Sequence, residues 1–288
     1  MDNSNENKKS SDSQELKLND DVQVVIKQCA NCGVDFEARV MRVLGHVIAP
    51  NRLCQKCGEE QRIKRENEEK ADKLRKLEIL HYEWRIGSGI PLRFRNEKFE
   101  TYKINNTNKK AFNMCKEYAD NFPKQPNKDY KSLGIFSKGV WGVGKTHLVC
   151  AIANSIIEKW SGTSRDYPPI YYVTEPSLFT RIRSTFNHGD ETEAHVYKQL
   201  SNVPLLIVDD VGKEDVSDPR FVQRVWFTII NERYDNLKPV VFTANLDPDE
   251  LANHLGGSRN NEASFDRLYE MLGGVFYEIQ GKSYRREK

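Results

Sequence analysis

The sequence predicts an α/β fold, a parallel sheet flanked by helices, with a small cysteine-rich module ahead of it. Three observations carry this. From Leu133 onward, short apolar runs alternate with longer amphipathic stretches, the pattern of strand–helix–strand units. Two of those runs, Leu205–Asp209 and Val240–Ala244, are apolar without alternation, as strands covered on both faces are. Four of the six cysteines stand as two Cys-x2-Cys pairs near the N-terminus.

Residues 1–20 are polar and of low complexity, which predicts a disordered tail. Residues 21–60 hold the cysteine module. Residues 61–89 are densely charged and predict a solvated linker helix, with a weak apolar stripe at Leu74, Leu77, Leu80 and Trp84. The α/β domain spans residues 90–288. Within it, Leu133–Ser137 reads as a strand and Thr146–Trp160 as a helix. Ile170–Thr174 follows as a strand, and Pro176–Phe186 as a helix with proline in its first turn. The Leu205–Asp209 strand, the Phe221–Asn236 helix, the Val240–Ala244 strand and the Asp247–Leu255 helix complete the series.

Charge and hydropathy exclude some classes. With 44 basic against 42 acidic residues the net charge is +2, so any nucleic-acid contact must come from local patches. No apolar run reaches the ~20 residues of a membrane span, and the first residues lack the apolar core of a secretory signal. The expected location is the cytoplasm, where reduced cysteines favour metal over disulfides.

Gly139-x4-Gly144-Lys145-Thr146 fits the phosphate-binding P-loop pattern, between an apolar strand and a helix. Backbone N–H groups can wrap a phosphate chain only where side chains stay out of the way, hence Gly139, Gly142 and Gly144. Lys145 brings a point charge to the β- and γ-phosphates of ATP, and Thr146 a hydroxyl to Mg2+. The helix beginning here adds its positive end. The predicted cradle comprises Gly139, Gly142, Val143, Gly144, Lys145, Thr146 and His147. The metal also needs a carboxylate. Asp209, at the end of the Leu205 strand, is placed to hold Mg2+, and Asp210 to polarise the attacking water. Asn245 ends the next buried strand. As a residue alone it either orients that water or caps the following turn.

Cys29, Cys32, Cys54 and Cys57 form two knuckles, each followed by a glycine, Gly33 or Gly58, that permits a tight turn. Four thiolates make a closed tetrahedral zinc site, and a segment of ~35 residues needs metal to fold. Arg181, Arg183 and Phe186, on the Pro176–Phe186 helix, combine charge with an aromatic ring, which suits single-stranded DNA. The alternative is a core phenylalanine on an amphipathic helix with solvated arginines.

FSKGVWGVGKTHL, then PLLIVDDVG, then FTANL, together with IPLRFRNEKFETY at residues 90–102, resembles the DnaC/IstB-like AAA+ ATPases. The resemblance runs from about Ile90 to the end and implies an AAA+ domain whose site is shared between subunits. It assigns Asn245 as the sensor asparagine, Arg267 as an arginine finger given to a neighbouring copy, and Arg285, with Arg286 as the alternative, as the C-terminal sensor. Asp210 stands where many AAA+ proteins have glutamate, and the shorter side chain predicts slow hydrolysis. The implied function is an ATP-dependent loader that self-associates, binds a replicative helicase and places it on single-stranded DNA. The alternatives are an IstB-like ATPase assisting transposition and a nucleotide-gated DNA-binding adaptor with negligible turnover.

Overall fold

The structure is a computed structural model. It describes residues 22–43, 46–48, 52–123, 130–160, 168–187, 191–213, 218–256 and 263–284. The expected tail at residues 1–20 lies outside these, as do Arg285 and Arg286. The chain falls into two compact units, Met1–Lys76 and Leu77–Lys288.

In the first unit, β1 (Val22–Gln28), β2 (Asp35–Val43) and β3 (His46–Ile48) form an antiparallel meander in that order. Helix α1 follows over Gln55–Gly87. The first cysteine pair sits in the β1–β2 turn, which Gly33 closes at φ +71° with its N–H on the Cys29 carbonyl, 2.9 Å away. The second pair differs from the expectation. Cys57 and Gly58 lie in the first turn of α1, and Gly58 has no positive φ. The helix's own curvature, not a glycine turn, brings Cys57 back toward Cys54. Further along, α1 is laced by exposed i,i+4 pairs, Arg62–Glu66, Lys64–Glu68 and Asp72–Lys76, each worth about 0.3–0.5 kcal/mol.

The second unit takes in the last turns of α1. Leu80 and Trp84 are buried in its core, whereas Leu74 is exposed, so only the C-terminal half of the expected stripe packs. Then come α2 (Lys109–Asn121), β4 (Leu133–Phe136), α3 (Lys145–Lys159), β5 (Ile170–Thr174), α4 (Glu175–Ser184) and α5 (Glu193–Asn202). After them run β6 (Leu205–Val211), α6 (Pro219–Asp235), β7 (Val240–Ala244), α7 (Pro248–Leu255), α8 (Ala263–Met271) and β8 (Phe276–Glu278).

The five strands β5-β6-β7-β4-β8 are all parallel. Successive residues of β6 serve opposite faces. Leu205 and Ile207 join the core under α2 and α3, while Leu206 and Val208 join the core under α4 to α8. This three-layer arrangement is why β6 from Leu205 to Val208 and β7 from Val240 to Phe242 are unbroken apolar runs. Fully buried Arg233 of α6 braces the far end of the sheet. Its Nη atoms donate to the carbonyls of Leu200, Val203, Pro204 and Pro239 at 2.5, 3.0, 3.2 and 2.6 Å, closing the end of α5 and the approach to β7. No helix among the described residues is long and apolar enough to cross a membrane.

Candidate functional site

The site lies beyond the carboxyl ends of β4, β6 and β7, where β4 turns into α3. The loop between β4 and α3 needs glycine. Gly139, Gly142 and Gly144 take φ of +64°, +79° and +98°. At Gly144 a side chain is also sterically barred, since a Cβ would stand 2.8 Å from the Tyr102 ring. The loop's outer side is tied down. The Tyr102 hydroxyl donates to the Val143 carbonyl at 3.3 Å, and the Tyr284 N–H to the Gly142 carbonyl at 3.0 Å. Val143 is buried. The His147 ring turns toward the segment before α2, with Nε2 3.0 Å from the Lys98 carbonyl and the ring edge-on to Tyr102.

Lys145 is 7% exposed, and its Nζ donates to Ser137 Oγ at 2.5 Å and Asn245 Oδ1 at 2.7 Å. Asn245 therefore faces the loop. The cap of α7 is instead Asp247, in a capping box with Glu250. Asp209, 1% exposed, collects three hydroxyls: Thr146 Oγ1 at 2.9 Å, the Tyr172 hydroxyl at 2.6 Å, and Thr243 Oγ1. Burial, followed by the neighbouring Asp209 charge, pushes Tyr172 far up, so it stays a donor. The β6–β7 register shifts between Val208 and Val211, and within that irregularity Asp210 takes φ +58°. The shift turns Asp210 out of the ladder, its N–H bonded to Thr243 Oγ1 at 3.0 Å and its carboxyl paired with Lys213 at 2.8 Å.

One cluster thus joins Lys145, Thr146, Asp209, Asp210 and Asn245. Ser137, Tyr172, Thr243 and Lys213 belong to it without having stood out in the sequence, because each is a common residue given meaning by a partner on another element. Arg267 is elsewhere. It bonds Asn231 Oδ1 of its own α6 and lies over the Tyr234 ring at 5.6 Å. Arg181 is held by Glu191, bidentately at 2.8 and 2.5 Å, and by the Tyr171 hydroxyl, so its charge is neutralised within the chain. Arg183 stacks over Phe221 at 4.6 Å; Phe186 is half exposed, edge-on to Phe221, with Arg224 over its face at 5.7 Å.

In the first unit the Sγ atoms of Cys29, Cys32, Cys54 and Cys57 all lie within 4.8 Å of one another. Cys32 and Cys54 are 3.7 Å apart, close to the about 3.8 Å between sulfurs of a tetrahedral zinc–thiolate site. The Cys54 N–H and Asn31 Nδ2 donate to Cys29 and Cys57 sulfurs at 3.3 and 3.4 Å. The Cys54 bond holds the Cys29 thiol below its ordinary range. Among the side chains of this unit whose burial is described, Cys29, Ala38 and Cys57 are the buried apolar ones.

A parallel β5-β6-β7-β4-β8 sheet with this loop, acidic pair and asparagine defines an AAA+ P-loop protein. The bacterial DnaA ATPase domain family matches residues 94–257. A replicative helicase loader DnaC of Buchnera aphidicola is 33% identical over 217 residues, covering 74% of this chain and 80% of that one. The replicative helicase loader DnaI of Bacillus subtilis is 27% identical over 162 residues, or 56% of this chain and 49% of that one. The crystal structure of a DnaC helicase loader matches with a TM-score of 0.53 at 27% identity, over 66% of this chain and 100% of that one. A DnaI structure matches with a TM-score of 0.50, also at 27% identity, over 66% of this chain and 93% of that one. The chain belongs to the DnaC/DnaI family of AAA+ proteins.

Proposed function

We propose that this chain is an ATP-dependent loader that binds a replicative DNA helicase and helps place it on single-stranded DNA in the cytoplasm. The gathering of Lys145, Thr146, Asp209 and Asn245 in a chain related to helicase loaders along most of its length carries the reading. Lys145 sits on the β- and γ-phosphates of ATP, and the N–H groups of the Gly139–His147 loop wrap them. The adjacent oxygens of Thr146 and Asp209 suit a hard cation, and would hold Mg2+. A magnesium ion held there would neutralise developing charge on the phosphates. Asp210 polarises the attacking water and Asn245 orients it. The short Asp210 side chain, already paired with Lys213, supports slow turnover, as in a switch.

Arg267, absent from its own chain's cluster, acts on the nucleotide of a neighbouring copy, so that self-association completes the site. A guanidinium stays charged and bonds phosphate oxygens bidentately. Arg285, or Arg286 as the alternative, serves as the C-terminal sensor. Zinc on Cys29, Cys32, Cys54 and Cys57 folds the N-terminal module, which engages the helicase. Arg183 and Phe186 contact single-stranded DNA; Arg181 contributes less, being neutralised by Glu191.

Co-purification of the full chain with the host replicative helicase tests the reading. Retention of the helicase with ATP, and its release on hydrolysis, is expected. Failure to retain it, together with dependence on a transposase and duplex DNA, would replace loading with transposition.

A further inference from the structure

The AAA+ cluster leaves a second buried polar group unexplained. Glu175, the first residue of α4, is 0% exposed. Its Oε2 accepts the Gly212 backbone N–H at 2.7 Å. Its Oε1 accepts the Trp226 indole N–H at 2.7 Å and lies 2.8 Å from His254 Nε2. A carboxylate only accepts, so the donor to it is His254 Nε2–H. The donors come from three elements: the turn after β6, helix α6 and helix α7.

Gly212 is the significant partner, since it stands two residues after Asp210. Asp210 holds φ +58° and Gly212 φ +77°. A left-handed aspartate is an uncommon backbone state that persists only when its surroundings enforce it. Here the turn is gripped on both sides. Glu175 holds its N–H, and Leu246 packs so closely that a Cβ on Gly212 would stand 2.2 Å from Leu246 Cδ1. We infer that Glu175 is a positioning residue for ATP hydrolysis: it fixes the Asp210–Gly212 turn, and through it the direction of the Asp210 carboxyl. This rests on the reading of Asp210 as the group that polarises water.

Glu175→Gln is the sharp test, because it keeps the shape and breaks the acceptor pattern. The amide must turn its NH2 toward either Gly212 N–H or the Trp226 and His254 donors, which sets N–H against N–H. The expected result is a turnover lower by about 10- to 100-fold, the scale of a small displacement of a reacting group. The affinity for a fluorescent ATP analogue should stay within about twofold, because Lys145 and the loop are untouched. Unchanged turnover overturns the inference. So does a parallel loss of affinity and turnover, which is what general loosening gives.

If Glu175→Gln does not fold, two variants at His254, whose side chain is 10% exposed, decide. His254→Ala should lower turnover by a smaller factor, and His254→Gln, which still donates, should restore it; equal turnover in both overturns the inference. Asp210→Asn is measured alongside. Unchanged turnover there removes the underlying reading, whereas lowered turnover there with Glu175→Gln unaffected overturns the positioning role alone.

Discussion

Lys145 Nζ donates to Asn245 Oδ1 at 2.7 Å, joining the phosphate loop to the end of β7 across 100 residues of chain. With Oδ1 committed to the lysine, Nδ2 is the end that can donate to a water. Asn245 thus meets the loop with one atom and, in the proposed role, the attacking water with the other. Asn245→Ala should lower turnover by about 10- to 100-fold, somewhat less than loss of a donor in a dedicated oxyanion site. Its affinity for ATP should change by less than about threefold, since Lys145 keeps Ser137 and gains freedom. Steady-state phosphate release and analogue binding separate the two. Loss of affinity with turnover at saturation intact would make Asn245 a binding residue.

The cysteine cluster makes a prediction about folding. Cys29 and Cys57 are buried while Val24, Ile26 and Val34 stand exposed, and a module of this size offers little apolar surface to offset chain entropy. One zinc per chain is expected in the purified protein. A soft-donor chelator used in excess magnesium should remove it, abolish the protease resistance of the first unit, and leave ATP-analogue binding within about twofold, as the nucleotide cluster lies in the other unit. Cys32→Ser should do the same without chelator. Resistance that survives metal removal would mean the meander folds on its own.

Legibility in the sequence followed how local each signal is. β6 and β7 announced themselves because burial on both faces forces an unbroken apolar run, and the loop because phosphate wrapping forces glycines at fixed spacing. β8 escaped notice. It has three residues, none fully buried, and exists through pairing with β4. Arg181 read as a free cation, since nothing in the spacing reveals that Glu191, ten residues on, returns to clasp it. Glu175 gave no signal in the sequence. Its donors lie 37, 51 and 79 residues away, a distance at which only the folded chain brings them together. The Gly58 expectation erred for the opposite reason. A Cys-x2-Cys-Gly string is satisfied equally by a glycine turn and by the first turn of a helix, and the long charged stretch behind it selects the helix.

Lys213 sets the last prediction. Its ammonium lies 2.8 Å from Asp210 Oδ2, with the lysine side chain 54% exposed and the aspartate 27% exposed. A pair so open to water is worth about 1 kcal/mol or less, which bounds its effect on a rate at about fivefold. The sign follows from geometry. An Asp210 oxygen bonded to Lys213 is not available to a water, and the ammonium draws electron density from the carboxyl proposed to polarise it. Lys213→Ala should therefore raise turnover, by up to about fivefold, with ATP affinity unchanged. The gain should vanish in Lys213→Ala/Asp210→Asn, because the residue it releases is gone. A fall in turnover for Lys213→Ala would mean that the lysine assists the reaction, and the proposed slow turnover would then rest on the length of Asp210 alone.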